Sequence, residues 1–360
     1  MRAMTASLLI GLIFSAQSNI YSQTRSDFVS DASHIVGTYQ PLVTDHSPAA
    51  MAKAANQFLA SLDGGQRKKA TGPLTGEIRR EWTNLPARAN ADGIRMGELK
   101  PRQVKAACHM MATVLSQQGY NKVVHIMLAD DQLLSKGRPR PGFGTENFSL
   151  VVFGNPDASD SWALQIDGHH VGLNVSIDGK QMTLSPSFIG TQPDAFQIGT
   201  TRFRPFAGES DLGYQLAASL DFDQLQTAIV SDRRGRIQTG PGNDGKIPKP
   251  NGVPCSTFTQ SQRKLLLDLV AQWVNDLPKS QAAKRMSELE KEIDNMRFAW
   301  SGEKVKSKGI KTDISYVLQG PSIIIEYACQ DLGGNPLDHL HSVYRNPKNE
   351  YGGQLKAKQE

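Results

Sequence analysis

Apolar positions recur at helical spacing through the first third of the chain and at every second position through its middle. The helical pattern predicts helices over residues 49–62, 75–82, 101–118 and 121–134. Ser47-Pro48 supplies an N-cap and a first-turn proline to the first of these, and Asp63-Gly64-Gly65 ends it. Residues 135–146 form a Gly/Pro/Arg loop, and a buried strand follows over 148–153. Residues 161–186 contain two Asp-Gly dipeptides, the strongest two-residue hairpin signal. Centring turns on Asp167-Gly168 and Asp178-Gly179 sets Leu164 opposite Val171, Trp162 opposite Leu173, and Val175 opposite Met182. One face is then apolar, while Gln165, His170, Asn174, Ser176, Gln181 and Thr183 share the other. Helices return over 212–220 and 222–230. A polar loop spans 232–254, and two amphipathic helices, 259–277 and 280–295, are split by Pro278. Strands follow at 297–301, 315–319 and 322–327. Beyond Asp331 no periodicity is visible, and the chain shows no internal repeat. Helices grouped apart from antiparallel strands predict an α+β fold: antiparallel meander sheet with segregated helices, one large domain over residues 23–360.

The N-terminus changes the expected compartment. Arg2 precedes an uncharged apolar run over residues 6–16, then small and polar residues, the pattern of a secretory signal ending after Ala16, Ser18 or Ser22. The run is too short to span a bilayer, and nothing later resembles a span, so the expectation is an exported, secreted or periplasmic protein without a membrane anchor. The chain has 360 residues, 39% of them hydrophobic and 21% charged, enough to bury a core. Its formal charge of +5 is small for this length and scattered among acids, which speaks against a nucleic-acid partner. An oxidising compartment lets two of Cys108, Cys255 and Cys329 form a disulfide and leaves one thiol over; Cys108, in an apolar helical stretch, reads as a core residue.

Eight histidines are present, and half of them fall in two tight clusters, His169-His170 and His339-Leu340-His341. On an extended segment residues i and i+2 project to the same side, so His339 and His341 can reach one ion. Neutral imidazole is the common ligand for zinc and iron. His170, on the polar face of the meander, is the better ligand there; His169 is a second ligand, a general base or a buried structural residue. Glu326 follows three isoleucines, where an unpaired carboxylate is costly, and would complete the set. Asp167 or Asp338 can orient an imidazole from behind. Arg345 can clamp an anionic small-molecule substrate. The alternatives for the histidines are a hydrogen-bonded structural network and unrelated surface positions. No GxSxG, Walker loop or dinucleotide-binding GxGxxG is present.

Several of these residues carry a resemblance. Trp162 with Asp167-Gly168-His169-His170 and Asn174, then the run 186–193, Phe298-Ala299-Trp300-Ser301-Gly302, Ile325-Glu326-Tyr327 and the run 339–347 resemble the domain of unknown function 3500 family, as does 115–120. Where that family has Asp-Tyr/Phe-Gly, this chain has Glu350-Tyr351-Gly352. The resemblance implies that both histidine clusters, Glu326 and Arg345 belong to one shared site; it implies no reaction. The expectation is therefore an exported metal-dependent enzyme, a zinc hydrolase or iron oxygenase. His170, His339, His341 and Glu326 would hold the divalent metal, with His169 and Arg345 catalytic. The rival is an exported non-enzymatic protein that binds a small ligand or metal. Oligomeric state has no signature in the sequence.

Overall fold

The computed structural model describes residues 30–75, 77–87, 92–134, 140–303, 311–332 and 334–356; the expected signal segment, 1–22, lies outside them. The α-helices of more than one turn are α1 (Asp31–Thr38), α2 (Pro48–Ser61), α3 (Gly64–Ala70), α4 (Pro101–Val114), α5 (Gln117–Leu134), α6 (Ala207–Ser219), α7 (Phe222–Ala228), α8 (Gln260–Val274) and α9 (Lys279–Glu290). The strands are β1 (Thr71–Gly72), β2 (Ile94–Arg95), β3 (Ser149–Phe153), β4 (Ser161–Gly168), β5 (Val171–Asp178), β6 (Gln181–Thr191), β7 (Phe196–Ile198), β8 (Thr201–Phe203), β9 (Ile229–Ser231), β10 (Val253–Pro254), β11 (Arg297–Gly302), β12 (Ile314–Gln319), β13 (Ile324–Cys329) and β14 (Leu340–Arg345). All but β7 and β8 join one sheet, whose main path runs β1-β3-β4-β5-β6-β14-β13-β12-β11-β10. It is mostly antiparallel, but β1 lies parallel to β3 and β9 parallel to β11, so the sheet is mixed rather than a simple meander. The helices cover one face around a continuous apolar core. Loop residues cover the other: Trp82 packs on Phe188 and Val343, and Leu74 and Ile78 on Val151, Phe153 and Ala163.

Two expectations about the strands are corrected. The segment beyond Asp331, without periodicity, supplies β14, which sits at the middle of the sheet between β6 and β13. A strand covered on both faces needs no alternation. Both hairpin turns also slide, the first by two residues and the second by one, which shifts the cross-strand pairing by four and two positions, so that Leu164 faces Val175 and Val175 faces Leu184. Gly168 pairs with Val171 and Asp178 with Gln181, so the turn residues are His169-His170 and Gly179-Lys180. An even slip keeps the apolar face, and Trp162, Leu164, Leu173 and Val175 remain in the core.

The expectation of no internal repeat is also corrected. Helix, capped short helix, parallel strand, antiparallel strand, two helices and four strands occur twice in the same order: α2 to β6, and α6 to β14. Asp63 and Gln66 form the capping box of α3, as Asp221 and Gln224 form that of α7. Gln66 Nε2 donates to the Glu98 carbonyl at 2.8 Å and Gln224 Nε2 to the Thr257 carbonyl at 2.9 Å. Gln103 Nε2 reaches the Ser61 carbonyl at 2.7 Å and Gln262 Nε2 the Ser219 carbonyl at 2.7 Å. The amides also bond each other, Gln103 to Gln66 and Gln262 to Gln224, each at 2.8 Å. Cross-strand partners run Ile94–Leu150–Ile166–Leu173–Ser187 in one half and Val253–Phe298–Leu318–Ile325–Tyr344 in the other. The two rows meet, because Ser187 and Tyr344 pair with each other. An antiparallel pair formed by two equivalent strands is what a twofold axis generates, so the halves are related by a pseudo-twofold through that pair. All three cysteines are free buried thiols, so the disulfide that an oxidising compartment would permit is not formed, and Cys108 lies in the core; burial pushes its thiol up to about 12.

Candidate metal centre

The slipped turn decides where the histidines go. As a hairpin tip, His170 takes a positive φ of 70°, a conformation uncommon outside glycine, asparagine and aspartate. Its backbone is held on both sides: its N–H donates to the Asn84 carbonyl at 3.0 Å, and its carbonyl accepts from Gly190 N–H at 2.7 Å. The imidazoles of His169 and His170 lie against each other, tilted by 31° with centroids 3.7 Å apart, instead of pointing to opposite faces. Gly190 pairs with His341 across β6 and β14, and a Cβ built on Gly190 would lie 2.9 Å from His170 Cδ2 and 3.0 Å from His341 Cδ2. The missing side chain is the space the two rings occupy.

His170, His339 and His341 converge through their Nε2 atoms. His170 Nε2 is 2.9 Å and His341 Nε2 3.0 Å from His339 Nε2. His339 Nδ1 is 2.6 Å from the Leu332 carbonyl, which can only accept, so in the neutral ring the proton sits on Nδ1 and Nε2 is a bare lone pair. One lone pair accepts one good hydrogen bond, yet two imidazole nitrogens face it. A cation between the three nitrogens satisfies all of them. Nitrogens bound tetrahedrally to one zinc ion at about 2.1 Å stand about 3.4 Å apart, so the cluster needs to open by only about 0.4 Å. Burial lowers the basicity of all three. His170 and His341 lie well below the usual imidazole range, pushed further by the neighbouring histidines, and His339 is also lowered. Neutral donors are the form a metal requires.

His169 is not a ligand of this trio. Its Nδ1 is 2.5 Å from Asp130 Oδ1 on α5, and Phe143 packs against its ring with centroids 4.4 Å apart. Asp130 Oδ2 accepts the Gly144 N–H at 2.6 Å. The neighbouring Asp131 accepts from Thr145 N–H and hydroxyl, both at 2.8 Å, and burial pushes it up to about 6. Asp130, His169 and His170 form a second close group of potential ligands. Asp130 was missed in the sequence, although two adjacent acids in the apolar helical run 126–134 were a signal.

The remaining candidates lie elsewhere. Glu326 does not join the histidines: it accepts the N–H of Gln238 at 2.7 Å and of Thr239 at 2.8 Å, plus the Thr239 hydroxyl. It fastens the 232–254 loop to the sheet. Arg345 is fully buried and spent on Glu350, the Thr239 carbonyl at 3.0 Å and the Asn243 carbonyl at 2.8 Å, so it faces no substrate. Asp338 accepts the Asp194 N–H at 3.0 Å rather than orienting an imidazole. Asp167 is half-buried, desolvation pushes its carboxyl well up, and its Oδ1 has no hydrogen-bond partner among the described residues, an imidazole included. No described helix is long and apolar enough to cross a membrane.

A family model described as a protein of unknown function (DUF3500) matches residues 44–353, and the chain belongs to that family. No curated protein and no solved structure matches the chain.

Proposed function

We propose that this DUF3500 member is an exported enzyme. His170, His339 and His341 hold a divalent cation, zinc or iron, and the Asp130–His169 pair beside them transfers protons. The observation that carries the reading is the meeting of three Nε2 atoms around a lone pair whose tautomer the Leu332 carbonyl dictates. Three neutral nitrogens leave the cation its full charge and at least one open coordination position, the pattern of catalytic rather than closed structural sites. A cation held this way supplies Lewis acidity and lowers the pKa of a bound water. Asp130 keeps the proton of His169 on Nδ1 and leaves its Nε2 free to accept one from a small-molecule substrate. Export rests on residues 1–22, and N-terminal sequencing of protein from the culture or periplasm tests it by whether Arg25 lies near the new terminus.

Elemental analysis of the purified protein tests the centre. A stoichiometric metal, lost in His339→Ala/His341→Ala with the fold retained, supports it. No metal, together with an unchanged melting temperature on adding Zn(II) or Fe(II), overturns it. The depth of the site favours one rival: His170 and His339 are buried and only His341 is half-exposed, as suits a metal-binding protein without turnover. An ester, peptide and oxidisable-substrate panel separates the two, since a binder turns over none of them.

A further inference from the structure

The pseudo-twofold assigns the metal centre a counterpart. Its tip residues, Gly168-His169-His170, correspond to Gly320-Pro321-Ser322, because Asp167 pairs with Gly172 as Gln319 pairs with Ile324. The ligands at the start of β14 correspond to residues at the start of β6. Ser342 pairs with Tyr327 as Leu184 pairs with Val175, which makes His341 equivalent to Thr183 and His339 to Gln181. The second site, like the first built from both halves, therefore has Ser322, Thr183 and Gln181 where the metal centre has three imidazoles. These three residues line a cavity of about 280 Å³. The helix above it also changes character: α5 brings Asp130 to the first hairpin tip, whereas α9 brings Arg285 to the second. Arg285 is buried; its Nε donates to the Tyr344 hydroxyl at 3.1 Å, one terminal nitrogen to the Ser322 carbonyl and the other to Glu288 at 3.3 Å.

We propose that this cavity is a second binding site, for a small carboxylate anion. Arg285, Lys284 and Lys348 outnumber Glu288 and Glu292 around it. Glu292 is already committed, accepting the N–H of Ser322 at 3.1 Å and its hydroxyl at 2.6 Å. A guanidinium has five N–H groups and Arg285 spends three on the described residues, leaving two for a planar acceptor. Thr183, Gln181 and Asn346 add neutral polar groups to the wall. A cavity of this size takes a ligand of roughly a dozen heavy atoms or fewer, such as a dicarboxylate. The site without the imidazoles thus holds an anion where its pseudo-symmetric twin holds a cation.

Calorimetric titration of the full chain with succinate tests the site, with inorganic phosphate as the competing anion and sodium chloride matching ionic strength. Saturable succinate binding is expected, unchanged in His339→Ala/His341→Ala, which separates it from the metal reading. Lys284→Glu/Lys348→Glu, at exposed positions, reverses the local charge and should weaken it about tenfold or more. Absence of saturable succinate binding overturns the proposal, as does equal affinity in Lys284→Glu/Lys348→Glu. Binding of phosphate but not succinate overturns the carboxylate assignment.

Discussion

Gly190→Ala tests the packing that makes three imidazoles one site. The added Cβ would lie 2.9 Å from the Leu340 carbonyl oxygen as well as from His170 Cδ2, and 3.0 Å from His341 Cδ2. The carbonyl belongs to the paired strand β14 and is the least able to yield, so the imidazoles must move by a few tenths of an ångström or more. Overpacking of this kind costs about 1–3 kcal/mol of stability. That lowers the melting temperature of a chain this long by about 2–4 °C per kcal/mol or less. The metal should suffer more, because shifts in ligand orientation typically weaken binding by about 10–100-fold. At a zinc concentration about 100 times the wild-type Kd, bound metal stabilises the folded chain by about 2.7 kcal/mol; a 100-fold weaker variant keeps about 0.4 kcal/mol. Thermal unfolding with and without Zn(II) reads both numbers. A Gly190→Ala variant with the full wild-type zinc shift would refute the claim that this glycine positions His170 and His341.

Three other outcomes follow from the contacts described. Glu326→Gln should cost about 1–3 kcal/mol, since an amide cannot accept from all of Gln238, Thr239 and the Thr239 hydroxyl; its metal content, read by elemental analysis, should equal wild type. Gln66→Ala and Gln224→Ala should lower stability to denaturant by similar amounts, because both amides hold the same set of partners, and a difference beyond about 1 kcal/mol would contradict the repeat. His125, packed against Phe203, is pushed by burial from 6.5 down to about 4. Above pH 6.5 both folded and unfolded chains leave it neutral; as pH falls towards 4 only the unfolded chain gains the proton. It therefore removes about 3 kcal/mol of stability over that window, and His125→Gln should flatten the acid limb of a stability–pH profile by that amount.

Much of the fold was legible because burial leaves a period behind. The helices at 49–62 and 121–134 and the apolar face of the meander could be read from spacing alone. The hairpin tip could not. Asp167-Gly168 is a strong turn signal, but Asn84 and Gly190 hold the His170 backbone from outside the hairpin, and that tertiary contact moved the turn by two residues. Strand β14 was hidden because a strand covered on both faces carries little alternation. The repeat escaped because its loops differ in length, so equivalent residues such as Gln66/Gln224 and Leu150/Phe298 are not separated by one fixed interval. At the site, the clustering of His339 and His341 was a sound signal. Glu326 misled: a buried acid needs partners, and backbone N–H groups served as well as a metal would.

The position of β14 has a consequence for how the chain reaches its final form. It follows the other thirteen described strands in chain order, yet it closes the middle of the sheet. Until it arrives, β6 and β13 each present a full unpaired edge, and edges of that kind recruit strands from other molecules. The same segment carries His339 and His341, so the imidazole cluster stays incomplete until the two halves are zipped together. A chain truncated before residue 339 would lose its seam and two of the three clustered imidazoles in one step.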